Sequence, residues 1–233
     1  MAGNTSTLVF DCRWNGANEK IIGMANTVLM PPGKANNFEA NDFKVMFSPD
    51  AFYDTMPFFH STEMAIDAKA VSLLHHVVDY TLPVHDSFSV QIKPTINLPE
   101  NLKERIVVHL QSNKRTEVEK GVWIDGMVQA KFKYLGNVML LLDTIPPKIT
   151  PLGWVNGGSL SGRKMFALLI KDDVEDVKNF KAYLDGNWLL FSRKSDFFIH
   201  TFDEKTTDGK HELRVYVDDE AGNTSQKTFT FYR

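Results

Sequence analysis

Cysteine is nearly absent. Cys12 is the only one in 233 residues, so no intrachain disulfide can staple the fold and no cysteine-rich metal site can be assembled. Long apolar runs are missing too: no stretch reaches the ~18 residues of a membrane-spanning helix, and residues 1–20 have neither the basic start nor the apolar centre of a secretory signal. An exported protein with this sequence has lost its signal or carries it upstream of residue 1. No sign of charge dominates. The 29 acidic and 26 basic residues are interspersed, for a net charge of −3, so there is no basic stripe to track a phosphate backbone, and nucleic acid is not an expected partner. The short run Lys114-Arg115, with Lys120 nearby, reads as a solvated loop.

Against these absences, 43% apolar and 24% charged residues are the composition of an ordinary globular protein. The length suits two hydrophobic cores. The chain punctuates itself at Asp143-Thr-Ile-Pro-Pro-Lys-Ile-Thr-Pro151, where the prolines remove backbone donors and favour extended backbone. A Pro-rich linker running straight into a strand is a semi-rigid spacer between tandem domains. After it, apolar segments at 148–152, 164–170, 180–184, 188–192, 197–202, 211–217 and 227–232 recur at sandwich spacing, which predicts seven strands of an immunoglobulin-like sandwich. Asp185-Gly186 predicts a tight hairpin, because both central positions of a type I′ turn need positive φ. Before the linker, strands are expected at 27–30, 43–47, 70–80, 88–93, 105–111, 127–134 and 138–142, with 63–74 the nearest thing to a short helix. The expected fold is all-β, with two tandem β-sandwiches. The first covers 11–143, the linker and first strand 144–151, and the immunoglobulin-like sandwich 148–233.

The two ends of the chain share a repeat. Ala2-Gly-Asn-Thr-Ser6 returns as Ala221-Gly-Asn-Thr-Ser225, each followed by a short β-type run ending in Phe, at Phe10 and Phe231. The second copy has a strand and an acidic turn before it, and the first has neither. Residues 1–10 are therefore expected to be the leftover last strand of a preceding sandwich, although turn chemistry that favours Gly and Asn also produces such matches by chance.

Residues able to do chemistry are scattered. Asp172, Asp173 and Asp176 crowd one loop with Glu175, and Asp218, Asp219 and Glu220 crowd another. Such loops are calcium candidates because Ca²⁺ takes six to eight oxygens, but sandwich loops are commonly acidic without metal and neither cluster follows the EF-hand pattern. Trp14, Trp123, Trp154 and Trp188 are binding candidates if they stand exposed as a carbohydrate platform; buried sandwich tryptophans are commoner. There is no GxSxG elbow, and Gly157-Gly158-Ser159-Leu-Ser-Gly162 lacks the lysine of a phosphate loop. No catalytic residue, metal ligand or cofactor is assigned.

Ala2 to Phe10, Asn41-Asp-Phe-Lys-Val, Leu98-Pro-Glu-Asn-Leu102, Gly126-Met-Val-Gln-Ala-Lys, Leu135-Gly136 and Asp143-Thr-Ile-Pro-Pro147 carry a resemblance, as do Leu184-Asp-Gly-Asn-Trp-Leu-Leu190, Thr201-Phe-Asp203, Gly209-Lys-His-Glu-Leu213 and Ala221 to Ser225. Together these motifs resemble the non-catalytic region that follows the peptidase domain in bacterial lysostaphin-like zinc metallopeptidases. They are structural turns, not chemistry. His75-His76-Val-Val-Asp79 contains the HxxxD spacing that supplies two zinc ligands in that family, but the later HxH is absent, and a catalytic zinc needs three protein ligands. The resemblance implies an accessory or binding module, not an enzyme. It also implies a bacterial cell-envelope address, periplasmic or surface. The implied partners are a covalently preceding peptidase domain and peptidoglycan or an envelope protein. The alternatives are a metallopeptidase with an unrecognised zinc site and a carbohydrate-binding module.

Overall fold

A computed structural model describes residues 27–77, 82–112, 115–174, 177–204 and 206–233. The segment 1–10, Cys12, Trp14, Asp79 and Asp176 lie outside the described residues. Before the proline-rich segment come β1 (Val28–Met30), β2 (Asn36–Glu39), β3 (Phe43–Phe47), β4 (Met56–Phe58), β5 (His60–Glu63), β6 (Leu74–Val77) and β7 (Phe88–Ile92). A single helical turn, α1 (Glu100–Lys103), follows. Then come β8 (Ile106–Gln111), β9 (Thr116–Lys120), β10 (Val122–Ile124), β11 (Met127–Phe132) and β12 (Asn137–Leu142). They form sheets in the order β10-β11-β7-β3-β2 and β5-β6-β12-β8-β9, plus the ribbon β1-β4.

Strict alternation builds this sandwich. In β3 and β7 every second residue, Phe43, Val45, Phe47, Phe88, Val90 and Ile92, is buried while its neighbours are half-buried, so one face of the sheet meets the core and the other meets water. The facing sheet contributes Ile106, Val108, Leu110, Val138 and Leu140. β12 reads as a continuous apolar run because it is buried on both faces. Its outward Met139 and Leu141 pack with Val107 and Val118 under Ala65, Ala70, Val174 and Ala221.

Beyond the linker lie β13 (Lys148–Leu152), β14 (Met165–Lys171), β15 (Asn179–Leu184), β16 (Asn187–Trp188), β17 (Ser192–Lys194), β18 (Phe197–Thr201), β19 (Lys210–Asp218) and β20 (Thr224–Tyr232). The sheets are β13-β14-β18-β17 and β16-β15-β19-β20, the immunoglobulin-like partition into one four-stranded sheet and a facing sheet built on β15, β19 and β20, to which the short β16 is added at the edge. The core centres on Trp154, whose Nε1 donates to Ala167 O at 2.8 Å. Its ring meets Phe166, Phe229 and Phe231 edge-on.

The structure corrects two expectations. The segment expected as one strand at 188–192 is two: the chain leaves one sheet after Trp188 and joins the other at Ser192, with Leu189 and Phe191 packed on the core during the crossing. The stretch 63–74 is not helical. Glu63 ends β5 and Leu74 begins β6, with an irregular loop between, and the sandwich's one described helical turn sits instead at α1 after Pro99, a residue that cannot continue a helix but can precede one. The hairpin at Asp185-Gly186 forms with φ of 49° and 85°, and the same dipeptide at Asp125-Gly126 turns β10 into β11 with 49° and 79°.

Candidate functional site

The turn after β19 meets the end of β12 at the junction of the two sandwiches. Ala221 packs among Val107, Val118, Met139 and Leu141, and Arg105 donates to its carbonyl at 3.4 Å. Asn223 Nδ2 donates both to Asp143 O, at 3.1 Å, and to Asp219 Oδ2, at 2.9 Å, while its backbone N–H donates to Asp219 Oδ1. Lys69 pairs with Asp173 at 2.5 Å and Lys178 with Glu220 at 2.6 Å. Asn223 and Asp219 are buried, so this Ala-Gly-Asn turn is an internal strut and not a surface loop.

Three carboxylates converge there. One oxygen each from Asp143, Asp172 and Asp219 lies within 4.8 Å of the others. Asp143 and Asp219 are each 2% exposed. Burial pushes the Asp143 carboxyl up to about 6, and the charges of Asp219, Asp172 and Asp173 push the same way against the hydrogen bond from the Ile145 N–H. Asp219 is raised for the same first reason, burial, with Asp172 adding to it and the Asn223 donors opposing. Like charges this close share protons or attract a cation; three carboxylate oxygens amount to about half of a calcium shell. Of the calcium candidates, Asp172 joins this group and Asp173 turns to Lys69. The sequence placed Asp172 and Asp219 in separate clusters and counted Asp143 only as linker. No local spacing connects them, because the linker and two loops from different strands meet only in the folded junction.

A second group sits between the sheets of the first sandwich. His60 Nε2 and His75 Nδ1 are 3.1 Å apart, and both rings stack on Phe43, with centroids at 4.6 and 4.9 Å. His75 is fully buried and its Nε2 has no hydrogen-bond partner among the described residues. Burial lowers the His75 pKa to about 4; Asp42 opposes this, and the neighbouring His60 and His76 reinforce it. His76 points the other way, to Glu63 at 3.1 Å. The first histidine of HxxxD is thus a core residue bonded to another histidine.

The three described tryptophans are not brought together. Trp154 is in the second core, Trp188 is 64% exposed on β16, and Trp123 is half-buried on β10 with its Nε1 donating to Lys103 O at 2.9 Å. Among the described residues no helix is long and apolar enough to cross a membrane.

No curated protein matches this chain. Among solved structures, fibronectin(III)-like modules of Clostridium thermocellum CbhA overlap at 11% identity and a TM-score of 0.29, covering 63% of this chain and 83% of that one. A polysaccharide lyase overlaps at 7% identity and a TM-score of 0.27, covering 88% of this chain, which spans only 35% of the lyase. Neither overlap is close enough to carry a role across. The Zu5-like domain family matches residues 27–143, which hold every described strand of the first sandwich and just over half of the chain, and the chain belongs to that family.

Proposed function

We propose that this chain is a non-catalytic accessory module of a cell-envelope, peptidase-type protein, holding a preceding domain at a fixed distance and orientation or presenting it to a wall or protein ligand. The observation that carries this reading is the buried strut at the junction. Two sandwiches joined only by a linker move independently by default; here Asn223, Arg105 and Ala221 tie the second sandwich to the first through buried contacts. The Ala-Gly-Asn-Thr-Ser sequence of this turn recurs at 2–6, and that repeat supports a tandem arrangement of such modules. The envelope address and the peptidase partner rest on the resemblance carried by those turns.

The test has two arms. Purified chain incubated with zinc and peptidoglycan should release no soluble fragments; zinc-dependent release that a chelator abolishes would make the chain an enzyme and overturn the reading. Small-angle scattering should show the two sandwiches in a single arrangement, and the double substitution Arg105→Ala, Asn223→Ala should broaden the distance distribution. A wild-type chain already as broad as the variant would remove the case for a positioning role.

A further inference from the structure

The turn at Asp125-Gly126 and helix α1 border an open surface cleft of about 860 Å³ lined by Glu100, Asn101, Lys103, Glu104, Trp123, Asp125 and Gly126. Trp123 forms its wall. The ring is held in one orientation before any ligand arrives, because its Nε1 donates to the carbonyl of Lys103, so little conformational freedom is lost on binding. Three carboxylates, Glu100, Glu104 and Asp125, stand against the single ammonium of Lys103, a local excess of two negative charges. Aromatic face and carboxylate rim together are the recognition elements for a cation: the ring quadrupole attracts positive charge over its face, and the carboxylates complement it.

The chain itself displays the contact. The Lys103 ammonium lies 5.4 Å from the centre of the Trp123 ring and 2.6 Å from Glu100 Oε2. An ammonium, a compact charge on an apolar stem, therefore fits this place. We propose that the cleft binds the side-chain ammonium of a lysine or another diamino acid in a partner peptide, and that Lys103 occupies the position as an intramolecular competitor until that ligand displaces it. The proposal is independent of the envelope reading above and stands on this cleft alone.

Lys103 gives the test an unusual sign. Nα-acetyl-lysine-N-methylamide titrated into the full chain should shift the Trp123 indole N–H resonance saturably, with a millimolar Kd. The uncharged norleucine analogue and the corresponding glutamate derivative should not. Lys103→Met removes the competitor and keeps the backbone carbonyl that holds Trp123; because α1 buries no residue, the variant should keep its fold, checked by its melting curve, and should bind the probe about fivefold tighter, the equivalent of one exposed cation–π contact. The double substitution Glu100→Gln, Asp125→Asn should weaken binding, as should high salt. A shift of equal size with the norleucine analogue, no saturable shift with the lysine probe, or a Lys103→Met chain that binds no tighter than wild type would each overturn the proposal.

Discussion

Acid should weaken the first sandwich through one residue, and the amount follows from its surroundings. His75 is fully buried between Phe43 and His60, and a proton added there has no carboxylate in contact to receive it: Asp42 acts from a distance, while His60 and His76 repel. The folded chain therefore keeps His75 neutral down to about pH 4, while the unfolded chain protonates it near 6.5. Between these values the unfolded state binds more protons, so stability falls as the pH falls; the contribution is fully present above about 6.5 and is lost progressively towards 4. Each tenfold difference in proton affinity is worth about 1.36 kcal/mol, which makes the loss at pH 4 about 3 kcal/mol. His60 is lowered by burial too and adds in the same direction. Other carboxylates also titrate in this range, so the comparison is between wild type and His75→Phe, which keeps an aromatic ring against Phe43 and removes the titration. Denaturant unfolding of each at pH 7 and pH 4, followed by amide exchange on β5 and β6, isolates the effect. The substitution costs a hydrogen bond to His60 at both pH values, and that constant cost cancels in the difference. Wild type should lose about 3 kcal/mol more than the variant between the two pH values. Equal pH dependence in both would refute the claim that the buried pair is held neutral by the fold.

The junction should respond to pH in the opposite sense. Asp143, held at about 6 in the fold against an unfolded value near 3.9, costs stability as the pH rises through that interval. Asp143→Asn, which keeps the acceptor for Ile145 N, should therefore raise stability at pH 7 by about 1–3 kcal/mol and make little difference at pH 4, as read by thermal melts at both. Gly136 permits a close strand approach: a Cβ there would meet the Gln111 carbonyl oxygen at 2.7 Å and Leu110 at 2.9 Å. Because the first of these is backbone and cannot swing away, Gly136→Ala should cost about 1–3 kcal/mol, visible as a lower denaturant midpoint; an unchanged midpoint would mean that β8 and β12 separate more easily than their register suggests.

Strands with a strong apolar pattern, alternating in β3, β7 and β11 and near-continuous in β8 and β12, were legible in the sequence, and all five fall within two residues of where the pattern placed them. β2, β4, β5, β9 and β10 of the first sandwich were not. β5 is His-Ser-Thr-Glu and β9 is Thr-Glu-Val-Glu-Lys; they carry little apolar signal because backbone pairing with β6 and β8 holds them, not burial of a face. The hairpin at Asp185-Gly186 was legible because the requirement for positive φ is written in two adjacent residues.

What the sequence determined by itself is therefore local: the β class, the proline-bounded break near residue 143, the Asp185-Gly186 turn and the inward face of each well-patterned strand. Each follows from backbone sterics and from a period of two residues. The groups that could act chemically were decided by the tertiary structure. His60 meets His75 only once β5 pairs with β6, and Trp123 meets Lys103 only where α1 lies beside the β10 hairpin. Asp143, Asp172 and Asp219 share a site only because the second sandwich docks on the outer face of β12. Proton affinity and ligand recognition depend on distances across space and on exclusion of water, and neither is encoded in the spacing of residues along the chain.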